Sequence, residues 1–305
     1  MSSQRAPRRD IHSEITASLI AAIEADPGKP SMPWRRSAGP LFMPVNALTG
    51  NAYNGINIVS LWVAAECLGY TAPVWATYRQ WSELGAQVRK GEKSSLVVFY
   101  KEYESEPDPD RADKPAPAEA GDGKRRVARA SCVFNASQVD GYAAPDAPQP
   151  LGPIERLEAV DRFIAATGAR IEHGGDRAFY RPSTDHIQMP DEGLFCGTDT
   201  MTRGEGYYAT LTHELTHWSG AKHRLARELG KRFGDAAYAA EELVAEIASA
   251  FLCAELGITE GTPRADHAQY LAQWLKLMKD DSRAIFTAAA RASEAVAYLK
   301  RLQST

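Results

Sequence analysis

The stretch His213-Glu214-Leu215-Thr216-His217 sets two imidazoles four residues apart. On a helix that spacing is about one turn, so both rings leave the same face. Neutral imidazoles so placed bind one Zn²⁺ at about 2.0–2.1 Å each. Glu214 lies about 100° round the helix from His213, where it reaches a metal-bound water without being a ligand. Its expected role is general base on that water, whose pKa the metal lowers toward about 7. A surface histidine pair would leave the glutamate between them unexplained.

The run continues through Gly220 to His223 as H-E-x-x-H-x-x-G-x-x-H, and two kinds of zinc peptidase begin this way. One takes its third ligand from the last histidine and carries a later methionine turn beneath the metal. The downstream methionine here, Met278, sits in YLAQWLKLMKDD, which reads as a helix. The other kind takes a glutamate from a later helix. In EELVAEIASAFLCAEL, Glu242 and Glu246 are four apart, so one can bind the metal while the other steadies a ligand histidine from behind. Leu243, Ile247, Ala250, Phe251 and Cys253 mark that helix as buried, so acids on its inner side need a partner. Glu242 is the expected ligand and His223 the alternative. Glu241 points elsewhere on the helix. His173, His186 and His267 read as structural or exposed, and Tyr207 and Tyr208 as packing or cleft-lining.

These residues need a scaffold. The chain's 305 residues suit about two domains. No apolar run reaches the roughly 18 residues of a membrane span, so no membrane partner is expected. Four cysteines without a C-x-x-C pair exclude a disulfide framework and fit a reducing cytoplasm. Residues 1–101 carry 11 Lys/Arg against 7 Asp/Glu, and the remainder 24 against 32. A basic front and an acidic back suggest two tasks. The fold class expected is α+β, with a front domain over 1–145 and a back domain over 154–305. Within the front domain, 1–10 reads as a disordered arm. Helices are expected at Ser13–Glu24 and INIVSLWVAAECLGY. SLVVFYKEY and RVARASCVFNASQV should pair as strands across a flexible Pro- and Asp-rich loop, about 104–125. In the back, a helix from Ile154 to Thr167 precedes three short strands in ARIEHGGDRAFYRPSTDHIQMP and then the helices that carry the metal motif.

The front half interleaves aromatics with cations: Trp34-Arg35-Arg36, Tyr53 beside Asn54, Trp75, Tyr78, Arg79 and Trp81, then Arg89, Lys90 and Lys93. Single strands are held by aromatic platforms for bases and cations for phosphates, so these are the candidate contacts for single-stranded DNA. Core burial is an equal reading for Trp75 and Trp81, and Trp62 reads as core. No helix-turn-helix, zinc finger or RNP signature supports duplex readout.

Longer matches add to this. PWRR, NALTGNAYNGINIVSLW, WATYRQWSELGAQVRKGEKSSLVVFY and VFNASQVDGY resemble the single-stranded-DNA-binding domain of ArdC-type antirestriction proteins of conjugative plasmids. FIAATGARIEHGGDRAFYRPSTDHIQMP, YYATLTHELTHWSG and YAAEELVAEIASAFLCAELGI resemble that family's zincin-like metallopeptidase domain. The resemblance implies a cytoplasmic protein acting on incoming single-stranded plasmid DNA to protect it from restriction, with a restriction enzyme or another DNA-bound protein as a possible target. It implies His213, His217 and Glu242 as ligands, Glu214 as base, and Zn²⁺, Mn²⁺ or another divalent ion as cofactor. Two other functions stay open. One is a binding-only protein that coats DNA, with a structural metal domain. The other is a general metallopeptidase with no DNA role.

Overall fold

The structure is a computed structural model describing residues 10–25, 42–104, 124–143, 153–195, 202–228, 236–258 and 267–304. Helix α1 (Ile11–Glu24) starts where the Asp10 carboxylate accepts from the His12 and Ser13 amides, and it buries Ile15, Leu19 and Ile23. Asp10 therefore caps the helix, which begins at Ile11, two residues ahead of the boundary expected from periodicity. Strand β1 (Val45–Asn46) and helix α2 (Ile56–Leu68) follow, then β2 (Val74–Ala76), α3 (Tyr78–Glu83) and β3 (Gln87–Val88). The long strands β4 (Ser95–Glu104) and β5 (Lys124–Asn135) pair antiparallel from Ser95↔Val133 to Glu104↔Lys124, and β6 (Val139–Asp140) closes the front half. The expected loop between β4 and β5 falls at 105–123, outside the described residues.

The sheet order is β1-β2-β5-β4, with β3 and β6 forming a separate pair. Strand β4 is an edge, and edges invite unwanted pairing. Here α2 covers it. The Asn57 amide group donates to the Val98 carbonyl at 2.8 Å and its oxygen accepts from the Val98 amide at 2.7 Å. One buried side chain thus imitates a neighbouring strand.

The back half opens with α4 (Pro153–Ala166) and a small sheet of β7 (Arg170–His173), β8 (Phe179–Arg181) and β9 (His186–Met189) in the order β7-β9-β8. The parallel β7–β9 pair requires a sharp exit from β7. Gly174 and Gly175, at φ 143° and 70°, provide it. Then come α5 (Arg203–Ser219), α6 (Ala236–Leu256), α7 (His267–Asp280) and α8 (Ala284–Arg301).

One hydrophobic cluster runs through both halves. Trp62 of α2 meets Phe251 of α6 edge-on at 5.6 Å. The Thr16 hydroxyl donates to the Ser282 carbonyl at 2.7 Å, and the Gly55 amide donates to the Ser293 hydroxyl at 3.0 Å. The first helix of the chain therefore packs against its last two. Among the described residues no helix is long and apolar enough to cross a membrane.

Candidate metal centre and surrounding surfaces

Helix α5 is fixed at its start by a capping box between Thr202 and Glu205. Its middle is buried despite its polarity because the hydroxyls fold back on their own backbone: Thr212 onto Ala209 and Thr216 onto Thr212. Small residues let α6 approach closely, and Ser249 sits 2.9 Å from the Thr212 hydroxyl. Contacts between Ala209 and Ser249, His213 and Glu246, and His217 and Glu241 show the two helices running antiparallel. That arrangement lays a turn of acids along a turn of histidines.

The Nε2 atoms of His213 and His217 stand 3.2 Å apart. Each lies 3.5 Å from a different oxygen of Glu242. Two donors at about 2.0–2.1 Å from one ion in a tetrahedron stand about 3.3 Å apart, so this donor set fits a divalent cation. Among the described residues it is the one cluster of that kind, its donor atoms all within 4.8 Å of one another. Glu214 is 4% exposed and accepts no hydrogen bond from the described residues. Glu246 approaches His213 Nδ1 at 4.0 Å from behind.

Charge sets the protonation of the metal-free site. Burial pulls the His217 pKa down, but Glu242, Glu241 and Glu214 outweigh it and hold it up at about 9. Burial pushes Glu242 up, yet His217, His213 and a hydrogen bond from Tyr238 bring it down to about 2. The resulting ion pair joins two of the groups that would hold a cation.

His223 stands apart. Its side chain is 63% exposed and its Nε2 faces Asp185 at 3.3 Å, not the histidine pair. The glycine turn that would swing it inward instead leads into a loop held by Arg224, which forks onto Asp185 at 2.9 and 2.7 Å. His173 hydrogen-bonds to Tyr207 at 2.8 Å, His186 to Thr184 at 2.7 Å, and Tyr208 donates to Asp161 at 2.6 Å. Glu241, expected to point elsewhere on the helix, instead faces the site, its Oε1 3.3 Å from His217 Nδ1, and Arg227, which no motif marks in the sequence, binds Glu241. Adjacent glutamates differ by about 100° round a helix, which alone does not reveal that the second histidine reaches back toward Glu241.

In the front half the candidate DNA contacts divide. Tyr53, Trp75 and Trp81 are core residues, 7%, 1% and 0% exposed, and offer no face to a base. The two indole groups have inward partners. The Trp81 ring nitrogen donates to the Phe134 carbonyl at 3.0 Å, and Trp75 meets Tyr70 edge-on. Trp62 is core as expected. Asn54, Tyr78, Arg79, Arg89, Lys90 and Lys93 are exposed. Arg89 is partly spoken for by Glu92 at 3.0 Å and Asp140 at 3.5 Å. Trp34, Arg35 and Arg36 lie outside the described residues. Two exposed aromatics that sequence reasoning assigned only to a strand, Phe99 and Tyr100, stand 48% and 50% open on β4.

A small sheet, then a helix carrying H-E-x-x-H, then an antiparallel helix supplying a glutamate make the back half a zincin-like metallopeptidase domain, and residues 158–291 match the family model so described. Residues 9–134 match the model of the N-terminal domain of anti-restriction factor ArdC. The chain is similar along nearly its whole length to the crystal structure of the antirestriction protein ArdC from plasmid R388. The metal-free form gives a TM-score of 0.76 at 40% identity, covering 97% of this chain and 98% of that one. The Mn(II)-bound form gives 0.74 at 38%, covering 97% and 99%. It is 46% identical over 312 residues to protein y4eC of Sinorhizobium fredii, covering 100% of this chain and 96% of that protein. It is also 39% identical over 303 residues to the DNA primase TraC of Escherichia coli, covering 94% of this chain but 27% of that much longer protein. The chain belongs to the ArdC antirestriction family.

Proposed function

We propose that this protein is an antirestriction factor that binds single-stranded DNA through its front half and carries a metal-dependent peptidase centre in its back half. The observation that carries the proposal is the convergence of His213, His217 and Glu242 on one point beside an uncommitted Glu214. The Mn(II)-bound relative supports a divalent ion at such a site, with zinc the ion expected of this donor set. A bound divalent ion supplies Lewis acidity that polarises a carbonyl and acidifies a water. His213, His217 and Glu242 would hold it, and Glu246 and Glu241 would orient the two rings. Glu214 would take the proton from the attacking water and return it to the leaving amine. Its target would be a restriction enzyme or another protein met on the same DNA.

On the front half, Tyr78 and Arg79 at the start of α3 and Arg89, Lys90 and Lys93 on the following turn offer an aromatic face among cations. The relationship to a DNA primase supports DNA association. Fluorescence anisotropy with labelled oligonucleotides tests the DNA reading. Single strands should bind more tightly than duplex. With four such cations on phosphates, log K should fall against log salt with a slope of about −3. Equal affinity for duplex, or a slope near zero, would contradict it.

A further inference from the structure

The loop that leaves α5 folds back on the helix it left. The amides of Leu225, Ala226 and Arg227 donate to the carbonyls of Ser219, Ala221 and Gly220. Ala226 turns the chain at φ 50°, a left-handed conformation that alanine adopts at a cost in free energy. The turn sends two arginines in different directions. Arg224 lies over the Trp218 ring at 3.5 Å and binds Asp185. Arg227 turns inward.

Arg227 and Glu241 are a buried pair, their side chains 4% and 2% exposed. The guanidinium forks onto the carboxylate, Nη2 to Oε1 at 2.8 Å and Nε to Oε2 at 3.1 Å. Its Nη1 donates to the Ser219 hydroxyl at 3.0 Å, and Nη2 also reaches the Thr216 carbonyl. Glu241 Oε1 is left facing His217 Nδ1 at 3.3 Å.

Resting on the reading of His213, His217 and Glu242 as a metal site, we propose that Arg227 is a positioning residue for that site, acting through Glu241 on His217. A planar fork restrains both carboxylate oxygens in a way a single cation does not. Glu241 held in this way accepts from Nδ1–H of His217. That fixes the tautomer and turns the Nε2 lone pair toward His213 and Glu242. The loop after the motif, whose spacing imitates a third histidine ligand, thus serves the site through an arginine four residues beyond that histidine.

A plainer role would be closure of the C-terminal end of α5 through Thr216 and Ser219, with no effect on metal. The two separate in a metal titration of the full-length chain. Metal-free protein would be titrated with Zn²⁺ against a chelating indicator for the parent, Arg227→Lys, Arg227→Met, Glu241→Gln, the Arg227→Met/Glu241→Gln pair and His213→Ala. Thermal melts of the metal-free forms would run alongside. Arg227→Met and Glu241→Gln should each weaken binding by about 10- to 100-fold. The pair should be no weaker than Glu241→Gln alone, and Arg227→Lys should fall between, keeping charge but not the fork. Should Arg227→Met fail to fold, Arg227→Lys and Glu241→Gln carry the comparison. If the Arg227 and Glu241 variants melt lower but bind Zn²⁺ as the parent does, while His213→Ala does not bind, the positioning role is overturned and the ligand assignment stands. If the parent binds no Zn²⁺, or His213→Ala binds it equally well, the ligand assignment falls and the inference with it.

Discussion

At the residue scale, the proposed metal centre turns on which side chain completes the histidine pair. Glu242 touches both Nε2 atoms at 3.5 Å, and His223 points away to Asp185. Glu242→Ala should leave the purified chain without bound metal after dialysis, while His223→Ala keeps it, as read by elemental analysis. Metal retained by the first and lost by the second would reverse the assignment. Protonation gives a second expectation for the chelated protein. His217 is raised from 6.5 to about 9, so its contribution to stability is full below pH 6.5 and fades as pH rises through about 9. Glu242 is lowered from 4.5 to about 2, so its contribution is full above pH 4.5 and fades as pH falls toward about 2. Metal-free protein should therefore gain most from this pair between pH 4.5 and 6.5, and lose that gain toward pH 9. Metal needs the neutral imidazole, so affinity should climb over the same interval. Melts in chelator and metal titrations near pH 6 and pH 9 check both. A melting temperature that does not fall, with affinity that does not rise, would contradict the ion pair. The motif itself was legible, because its spacing encodes geometry directly. The partners Glu241 and Arg227 were not, because they depend on how α6 and a loop meet α5.

At the element scale, periodicity found what was long enough to repeat. The helices and the β4–β5 pairing emerged from the sequence, as did the three strands of the back sheet. Strands β1, β2, β3 and β6, two or three residues each, are too short to show alternation and exist only because neighbours pair with them. Trp75 and Trp81 were ambiguous for a related reason. A tryptophan beside arginines looks alike whether it faces solvent or sits on a strand or helix that turns inward. Asn57 is an element-scale device invisible to pattern, a polar residue in an apolar helix whose purpose lies 41 positions away. Asn57→Ala should strip both hydrogen bonds from the buried Val98 peptide groups and cost about 2–4 kcal/mol. Chemical denaturation would measure it. A loss below about 0.5 kcal/mol, the size of an ordinary surface change, would mean that water or relaxation replaces the asparagine.

At the scale of the whole molecule, the basic front and acidic back of the sequence suggested two tasks, and the family supports two domains. What charge and composition did not foretell is how closely the halves are joined. Helix α1 is bonded to the α7–α8 junction, and Trp62 of α2 meets Phe251 of α6, the helix that carries Glu242. If the front half binds single-stranded DNA as proposed, the Trp62–Phe251 contact joins that half to the helix that carries Glu242. The proposed function stands or falls on Glu214 as the base of a peptidase centre. The measurement that tests it most directly is cleavage by the metal-loaded protein, of itself and of several DNA-binding proteins, with and without single-stranded DNA, comparing the parent with Glu214→Gln. The parent should cleave, and more strongly with single-stranded DNA. Glu214→Gln should retain metal and lose cleavage by at least about 100-fold, the order of a general base's contribution. Equal cleavage by both proteins, or none by either while both bind metal and single-stranded DNA, would contradict it.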